Sequence, residues 1–161
     1  YAEVFGNYYG TARSFLVEAE HKGHDLLLDI DVQGAEQIKR KIPEAVSIFI
    51  LPPDRKTLEW RLKNRSLDGE DVIRRRLATA SREIENYPKY DYILVNDRLE
   101  ESTEALRAIV LSERLRRSGT KLSEDEIKLG EMAGRFRLDK VQERVRPIVA
   151  SFAKPMAQGE H

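Results

Sequence analysis

The sequence predicts an α/β fold in which a parallel sheet is flanked by helices, and three observations lead there. Leu26 to Ile30 and Val46 to Leu51 are short apolar runs without alternation, the pattern of strands covered on both faces. Between them Ala35 to Lys41 has helical spacing, and a strand–helix–strand order implies a crossover connection and parallel pairing. Tyr92 to Val95 (YILV) repeats the strand signature after a long helical stretch.

The elements follow in order. After a Gly- and Tyr-rich turn at Gly6 to Gly10, Ser14 to Lys22 carries Phe15, Leu16 and Ala19 at helical spacing and meets a C-terminal glycine, Gly23. Strand Leu26 to Ile30 comes next, then the helix with Ile38 on its inner face, stopped by Pro43. The second strand, Val46 to Leu51, is closed by Pro52 and Pro53. Asp54 to Lys63 turns helical, with Leu58 and Leu62 four apart beside Trp60, until the polar break Asn64 to Gly69. Asp68 is placed to cap a long helix whose stripe is Ile73, Leu77, Ala80 and Ile84, running to about Asn86 before Pro88. Beyond Tyr92 to Val95, Asn96-Asp97 opens a helix with Leu99, Leu106 and Val110 facing inward, and Asp97 with Glu100 forms a capping-box pattern. The basic run Arg114 to Lys121 with Gly119 ends that helix or the compact domain. Ser123 and Glu126 form a second capping box, followed by an amphipathic helix through Leu138, Val141, Val145, Ile148, Val149 and Phe152, bent or broken near Pro147. Its narrow apolar stripe suits packing on the domain or on a second subunit, and Ala153 to His161 reads as a disordered tail.

Composition narrows the function classes. With 161 residues, 40% of them hydrophobic, the chain can build one substantial core. Its 28 basic residues balance 28 acidic ones, so no overall field favours nucleic acid or a membrane, and any anion site must be local. There is no cysteine, which excludes disulfides and thiolate metal sites. No run approaches the roughly 18 apolar residues of a membrane span. The start, Tyr1 to Phe5, lacks the features of a signal peptide, which fits a cytoplasmic protein.

Three constellations could carry chemistry. Asp29 and Asp31 end the first apolar run and, on a strand, share one face; like charges so placed call for a metal, a base edge or an arginine, unless the strand end simply frays into solvent. Gly6-Asn7-Tyr8-Tyr9-Gly10-Thr11 combines backbone freedom with neutral hydroxyl donors suited to a phosphate or base edge, or is a tight turn with two packing tyrosines. Arg61 and Arg65 lie four apart on one helix, and Arg74, Arg75 and Arg76 open the next; guanidinium groups facing across a hinge suit a lid over a polyphosphate. A solvated face, with Glu70, Asp71 and Glu83 pairing locally, is the plainer reading. His21 and His24 read as surface residues, and no nucleophile elbow or Cys-based pattern occurs, so covalent catalysis is not expected.

Taken in order, GNYYGT, LLLDIDVQG, FILPP, RLKNR with RRRLATA, and YDYILVND resemble the guanylate kinase family over Tyr1 to Leu115. The resemblance implies a P-loop nucleoside monophosphate kinase fold with a helical lid, extended here by extra C-terminal helices. The implied layout is a remnant of the GMP-binding region at 1–13, a core strand–helix–strand at 14–63, the lid at 64–80, further core at 81–115, and a C-terminal helical extension and tail at 116–161. It implies a kinase of purine nucleotide metabolism that transfers a phosphoryl group from ATP to GMP in line, without a covalent intermediate. Tyr9, Thr11 and Asp31 would bind GMP, with Thr11 standing where many relatives have Ser. Asp29 would act through Mg²⁺ and its waters, Arg65 and Arg76 would clamp the transferring group and contact ATP with Arg61 in support, and Asn96 would touch the adenine side. GMP and ATP are the implied partners, with no nucleic acid or membrane, and a homodimer is open. A non-catalytic guanylate-kinase-like module that binds proteins is the main alternative; retained Asp29, Asp31, Arg65, Arg76 and Tyr9 favour an enzyme. A kinase for a related nucleotide is the nearer rival, and an RNA-binding module finds no support in net charge.

No G-x-x-x-x-G-K-[ST] phosphate loop occurs in the sequence, so the chain is expected to be the C-terminal part of such an enzyme. The purified 161-residue chain should therefore show no measurable turnover of ATP and GMP in a coupled assay. Steady turnover would refute that expectation.

Overall fold

A computed structural model describes residues 2–4, 7–9, 13–65 and 69–153, with side chains described from Ser14 onward in these segments. Among them the protein is mixed α/β and mostly helical, with one small parallel sheet. Two compact units divide between Ala45 and Val46, inside the 14–63 span expected as one core.

In the first unit, β1 (Ala2–Val4) and β2 (Asn7–Tyr9) pair antiparallel, with Ala2 opposite Tyr9 and Val4 opposite Asn7. Asn7 to Tyr9 is thus strand rather than turn, while Gly6 and Gly10 lie outside the described residues. Helix α1 (Arg13–His21) ends as the sequence predicts. Gly23 adopts φ +63°, its N–H donates to the Glu20 carbonyl at 3.1 Å, and the His24 N–H donates to the Ala19 carbonyl at 2.9 Å. This pair of bonds is a Schellman cap, and the left-handed position favours glycine.

The expected strand at Leu26 to Ile30 is not formed. These residues carry no strand pairing, and Leu26, Leu27 and Ile30 are exposed, Leu27 to 75%. An apolar run becomes a strand only where a neighbour satisfies its peptide groups, and none of the described strands pairs with it. Helix α2 (Val32–Lys41) follows, its last N-H bond made by Ile42 to the Ile38 carbonyl at 2.8 Å.

The second unit is built on β3 (Ile48–Leu51) and β4 (Tyr92–Val95), which run parallel with Ile48 opposite Tyr92 and Leu51 opposite Val95. The connection between them holds α3 (Arg55–Arg65), α4 (Glu70–Glu83) and a 3-10 turn (Ile84–Lys89). The Asp54 carboxylate accepts the Thr57 N–H at 2.7 Å as α3 begins, and this bond holds its carboxyl below the ordinary range. Asp68 lies outside the described residues, and Gly69 takes the N-cap position of α4. The stripe Ile73, Leu77 and Ile84 is buried as its spacing predicts. The α-helix stops at Glu83 and tightens into the 3-10 turn, which accommodates Pro88.

After β4 come α5 (Leu99–Ser118), α6 (Glu124–Gly134) and α7 (Leu138–Ala153). The Asp97–Glu100 capping box is not made: Arg98 is the N-cap, without a side-chain cap, and Leu99 is 70% exposed. The inward face is instead Ala105, Ala108, Ile109 and Glu113, with Leu106 packed at its edge. Gly119 closes α5 in the left-handed conformation, and the Ser123–Glu126 capping box forms in full. Helix α7 continues unbroken through Pro147.

The two faces of β4 are filled by different partners. Tyr92 and Leu94 pack with Ala105, Ala108 and Ile109 of α5 and Ala133 of α6. Ile93 packs with Leu51, Ile84 and the α7 residues Val141, Val145, Ile148 and Phe152. Phe49 and Tyr90 flank that second layer edge to face, their ring centroids 4.8 Å apart. Ile50 of β3, expected to be buried, is 55% exposed. The far edge of β4 is occupied by the α6–α7 connection: the Ile93 N–H donates to the Phe136 carbonyl at 2.9 Å and the Leu138 N–H to the Asp91 carbonyl at 3.2 Å.

A buried polar network locks the same place. The Tyr92 hydroxyl donates to Glu113 Oε1 at 2.6 Å, Arg116 donates to Glu113 Oε2 from Nε at 2.9 Å and Nη2 at 2.7 Å, and the Arg137 guanidinium lies 5.3 Å from the centre of the Tyr92 ring. Burial, then the Glu113 carboxylate, pushes the Tyr92 phenol up to about 12. Burial alone would raise Glu113, but bonds from Tyr92 and Arg116 outweigh it and hold the carboxyl low.

Three outcomes follow from this packing. Ile148→Ala should cost about 2–5 kcal/mol in urea unfolding, because α7 closes the core. Gly23→Ala should destabilise the end of α1 by about 1 kcal/mol, read by amide exchange, although a Cβ there meets nothing within 4 Å. Tyr92, with its pKa raised, contributes fully below its ordinary value of 10.0 and loses that contribution as pH rises toward about 12. Urea titrations across this window should show stability falling in the unmodified chain and a flatter profile for Tyr92→Phe.

Candidate functional site

The expected site residues fall in both units. In the first unit Tyr9 lies on β2 with its side chain outside the described residues, and Thr11 lies outside them altogether. Asp29 is exposed in the irregular stretch before α2. Because no strand forms there, the alternation that would place Asp29 and Asp31 on one face does not apply.

Asp31 has a structural task. It is the N-cap of α2, and its Oδ1 accepts the Gly34 N–H at 2.9 Å. The sequence Asp31-Val32-Gln33-Gly34 builds this cap locally, since a short carboxylate reaches the amide three residues on. A Cβ on Gly34 would stand 3.1 Å from Asp31 Oδ1 and 3.3 Å from Ile30 Cβ, so the glycine keeps the cap compact. The cap occupies Oδ1.

In the second unit the arginines separate by role. Arg61 is half-buried and reaches the end of β4: its Nη1 donates to the Asn96 carbonyl at 2.7 Å and its Nη2 to the Asp97 carbonyl at 3.3 Å. Arg65, at the end of α3, and Arg76, on α4, are exposed, and the two helices pack on one another. Arg74 pairs with Asp71 at 3.7 Å in solvent, the local pairing its neighbours suggest. Asn96 is half-buried; its N–H donates to the Leu51 carbonyl at 2.7 Å, and Ser102 Oγ donates to its Oδ1 at 3.3 Å. Of the expected residues in this unit, Arg61 and Asn96 are thus in direct contact. Ser102 escapes sequence reading because a serine in the first turns of a helix looks like a solvent-facing residue.

Asp29 is also the candidate for a hard cation. Among the described residues no cluster of three or more His, Asp or Glu side chains could hold a metal by itself. A lone exposed carboxylate fits Mg²⁺ all the same, because that ion keeps most of its waters and is held by one or two carboxylates together with phosphate oxygens. His21 and His24 are exposed, as expected. No helix among the described residues is long and apolar enough to cross a membrane.

A sequence model of the guanylate kinase family matches residues 1–113. The chain belongs to the guanylate kinase family. A guanylate kinase from Koribacter versatilis is 55% identical over 155 residues, which cover 94% of this chain and 66% of that protein. Guanylate kinases from Salmonella paratyphi A and Escherichia coli are each 47% identical over 127 residues, 79% of this chain and 61% of theirs. The chain thus spans a little under two thirds of the length of these relatives. The family match ends at Glu113, inside the buried network, while the Koribacter similarity covers most of the chain.

Because Asn and Asp are nearly equal as N-caps, Asp31→Asn should leave α2 intact, whereas Asp31→Ala should destabilise it by about 1 kcal/mol. Amide exchange across residues 32–41 measures the difference.

Proposed function

We propose that this chain forms the nucleotide-reading and lid portion of an ATP:GMP phosphotransferase. The observation that carries the reading is Arg61 at the carboxyl end of the parallel pair, on a helix that also bears the exposed Arg65. Open α/β sheets collect their ligands outside the carboxyl ends of the strands, and there Arg61 meets the Asn96 and Asp97 carbonyls. Helices α3 and α4, in contact with each other, bring exposed Arg65 and Arg76 to the same unit.

In this reading Arg65 and Arg76 neutralise the charge on a phosphoryl group passing between two nucleotides, a step that demands positioning and electrostatics rather than a nucleophilic side chain. Tyr9 donates to the GMP phosphate and Thr11 to the base. Asp31 reads the guanine N–H groups with the carboxylate oxygen that the cap leaves over, and Asn96 contacts the adenine side. Asp29 would hold Mg²⁺ through water, and the ion when bound supplies charge neutralisation between the phosphates. Closing the arginine-bearing helices over the phosphates would exclude water and strengthen each guanidinium contact.

The test separates base reading from helix capping. Ligand-observed NMR on the 161-residue chain should show GMP bound in preference to AMP, and Asp31→Asn should abolish that preference while α2 stays folded. The cap takes the only oxygen of the Asn side chain, so guanine meets an NH2 donor where the carboxylate offers it an acceptor. Equal binding of GMP and AMP by the unmodified chain would overturn the guanine assignment. Failure to bind either nucleotide with the fold intact would favour a protein-binding module.

A further inference from the structure

The carbonyls that follow a strand's last ladder pair must find donors elsewhere, and at β4 they find a guanidinium from a helix 35 residues earlier in the chain. Two carbonyls on consecutive residues, at 2.7 and 3.3 Å from two nitrogens of one group, match the fixed fork of arginine and not the single point of a lysine. The anchored peptide is itself held, since the Asn96 N–H is bonded to Leu51 of the neighbouring strand. Arg61 therefore grips a rigid part of the molecule.

Its place on α3 gives that grip a consequence. Leu58 packs against the core layer of Leu51 and Ile93. Arg61 and Arg65 follow at offsets of three and seven, so the three residues share one stripe of the helix, while Trp60 points away and is 65% exposed. Leu58 fixes the stripe at the core and Arg61 fixes it at the strand end. Arg65 is then carried one helical turn, about 6 Å, beyond that anchor.

We infer that Arg61 is a positioning residue: by binding the Asn96 and Asp97 carbonyls it sets the orientation of α3 and thereby aims Arg65 at the phosphates of a nucleoside triphosphate bound at this strand end. The inference rests on the kinase reading for its ligand, and it gives a definite form to the supporting role that family resemblance implies for Arg61: it acts through Arg65 and not on the phosphates. A residue acting through Arg65 has no effect on phosphate binding once Arg65 is gone, whereas a direct phosphate ligand keeps its effect.

The experiment uses the 161-residue chain and its Arg61→Lys, Arg65→Ala and doubly substituted forms. Two quantities are read: the dissociation constant for ATP with Mg²⁺, and amide exchange across α3 without nucleotide, with exchange in α7 as the folding control. Arg61→Lys keeps the charge but loses the fork. It should speed exchange in the last turn of α3, leave α7 unchanged, and weaken ATP binding about tenfold, the scale of one lost charged hydrogen bond. In the Arg65→Ala background it should add no further loss. An equal loss in both backgrounds, or unchanged exchange in α3, would overturn the inference. If the unmodified chain, which has no phosphate loop in its sequence, does not bind ATP, exchange alone decides the anchor: faster exchange in Arg61→Lys supports it and unchanged exchange overturns it.

Discussion

Strand β4 has four residues, and the larger unit is organised around them because both of its faces and both of its edges are occupied. Tyr92 and Leu94 are covered by α5 and α6, Ile93 by α7 and the 3-10 turn, one edge by β3 and the other by the α6–α7 connection. A strand with no solvent-facing side must be apolar throughout, which explains YILV; Tyr92 is admitted because its hydroxyl finds Glu113. Burying a carboxylate is tolerated there only because Tyr92 and Arg116 satisfy both of its oxygens. The network therefore specifies which faces of α5 and of the α6–α7 connection meet the strand, something apolar contacts alone do loosely.

The helices beyond the family match are thus part of the core. Val141, Val145, Ile148 and Phe152 are four of the seven buried residues in the core layer on one face of β4, although the family match ends at Glu113. The mixed three- and four-residue spacing of α7 is that of a helix against a sheet, and Pro147 leaves its buried stripe uninterrupted on both sides.

Much of this was legible where a signal is local. The stripe Ile73, Leu77 and Ile84, the Schellman glycine Gly23 and the Ser123–Glu126 box depend on residues within a few positions of one another, and each stands as its spacing predicts. Signals that need a distant partner misled. Leu26 to Ile30 has strand composition without strand pairing. Asp97–Glu100 is the local exception: it has the letters of a capping box, but the helix begins one residue later, with Arg98 at the cap. The candidate site shares this division. The run of neighbours singles out Asp31, but reading Asp29 and Asp31 as like charges on one face of a strand misses the helix cap that Asp31 makes. Arg61 was found as a charge, while its partners are main-chain carbonyls, which no side-chain pattern can reveal.

Trp60 is the chain's single tryptophan and stands in solvent on α3, next to the residue that grips the end of β4. Its indole emission therefore reports the surroundings of that helix alone, without background from the core. The protein carries its own optical marker on the element whose placement matters most, with no label to attach and no residue to replace.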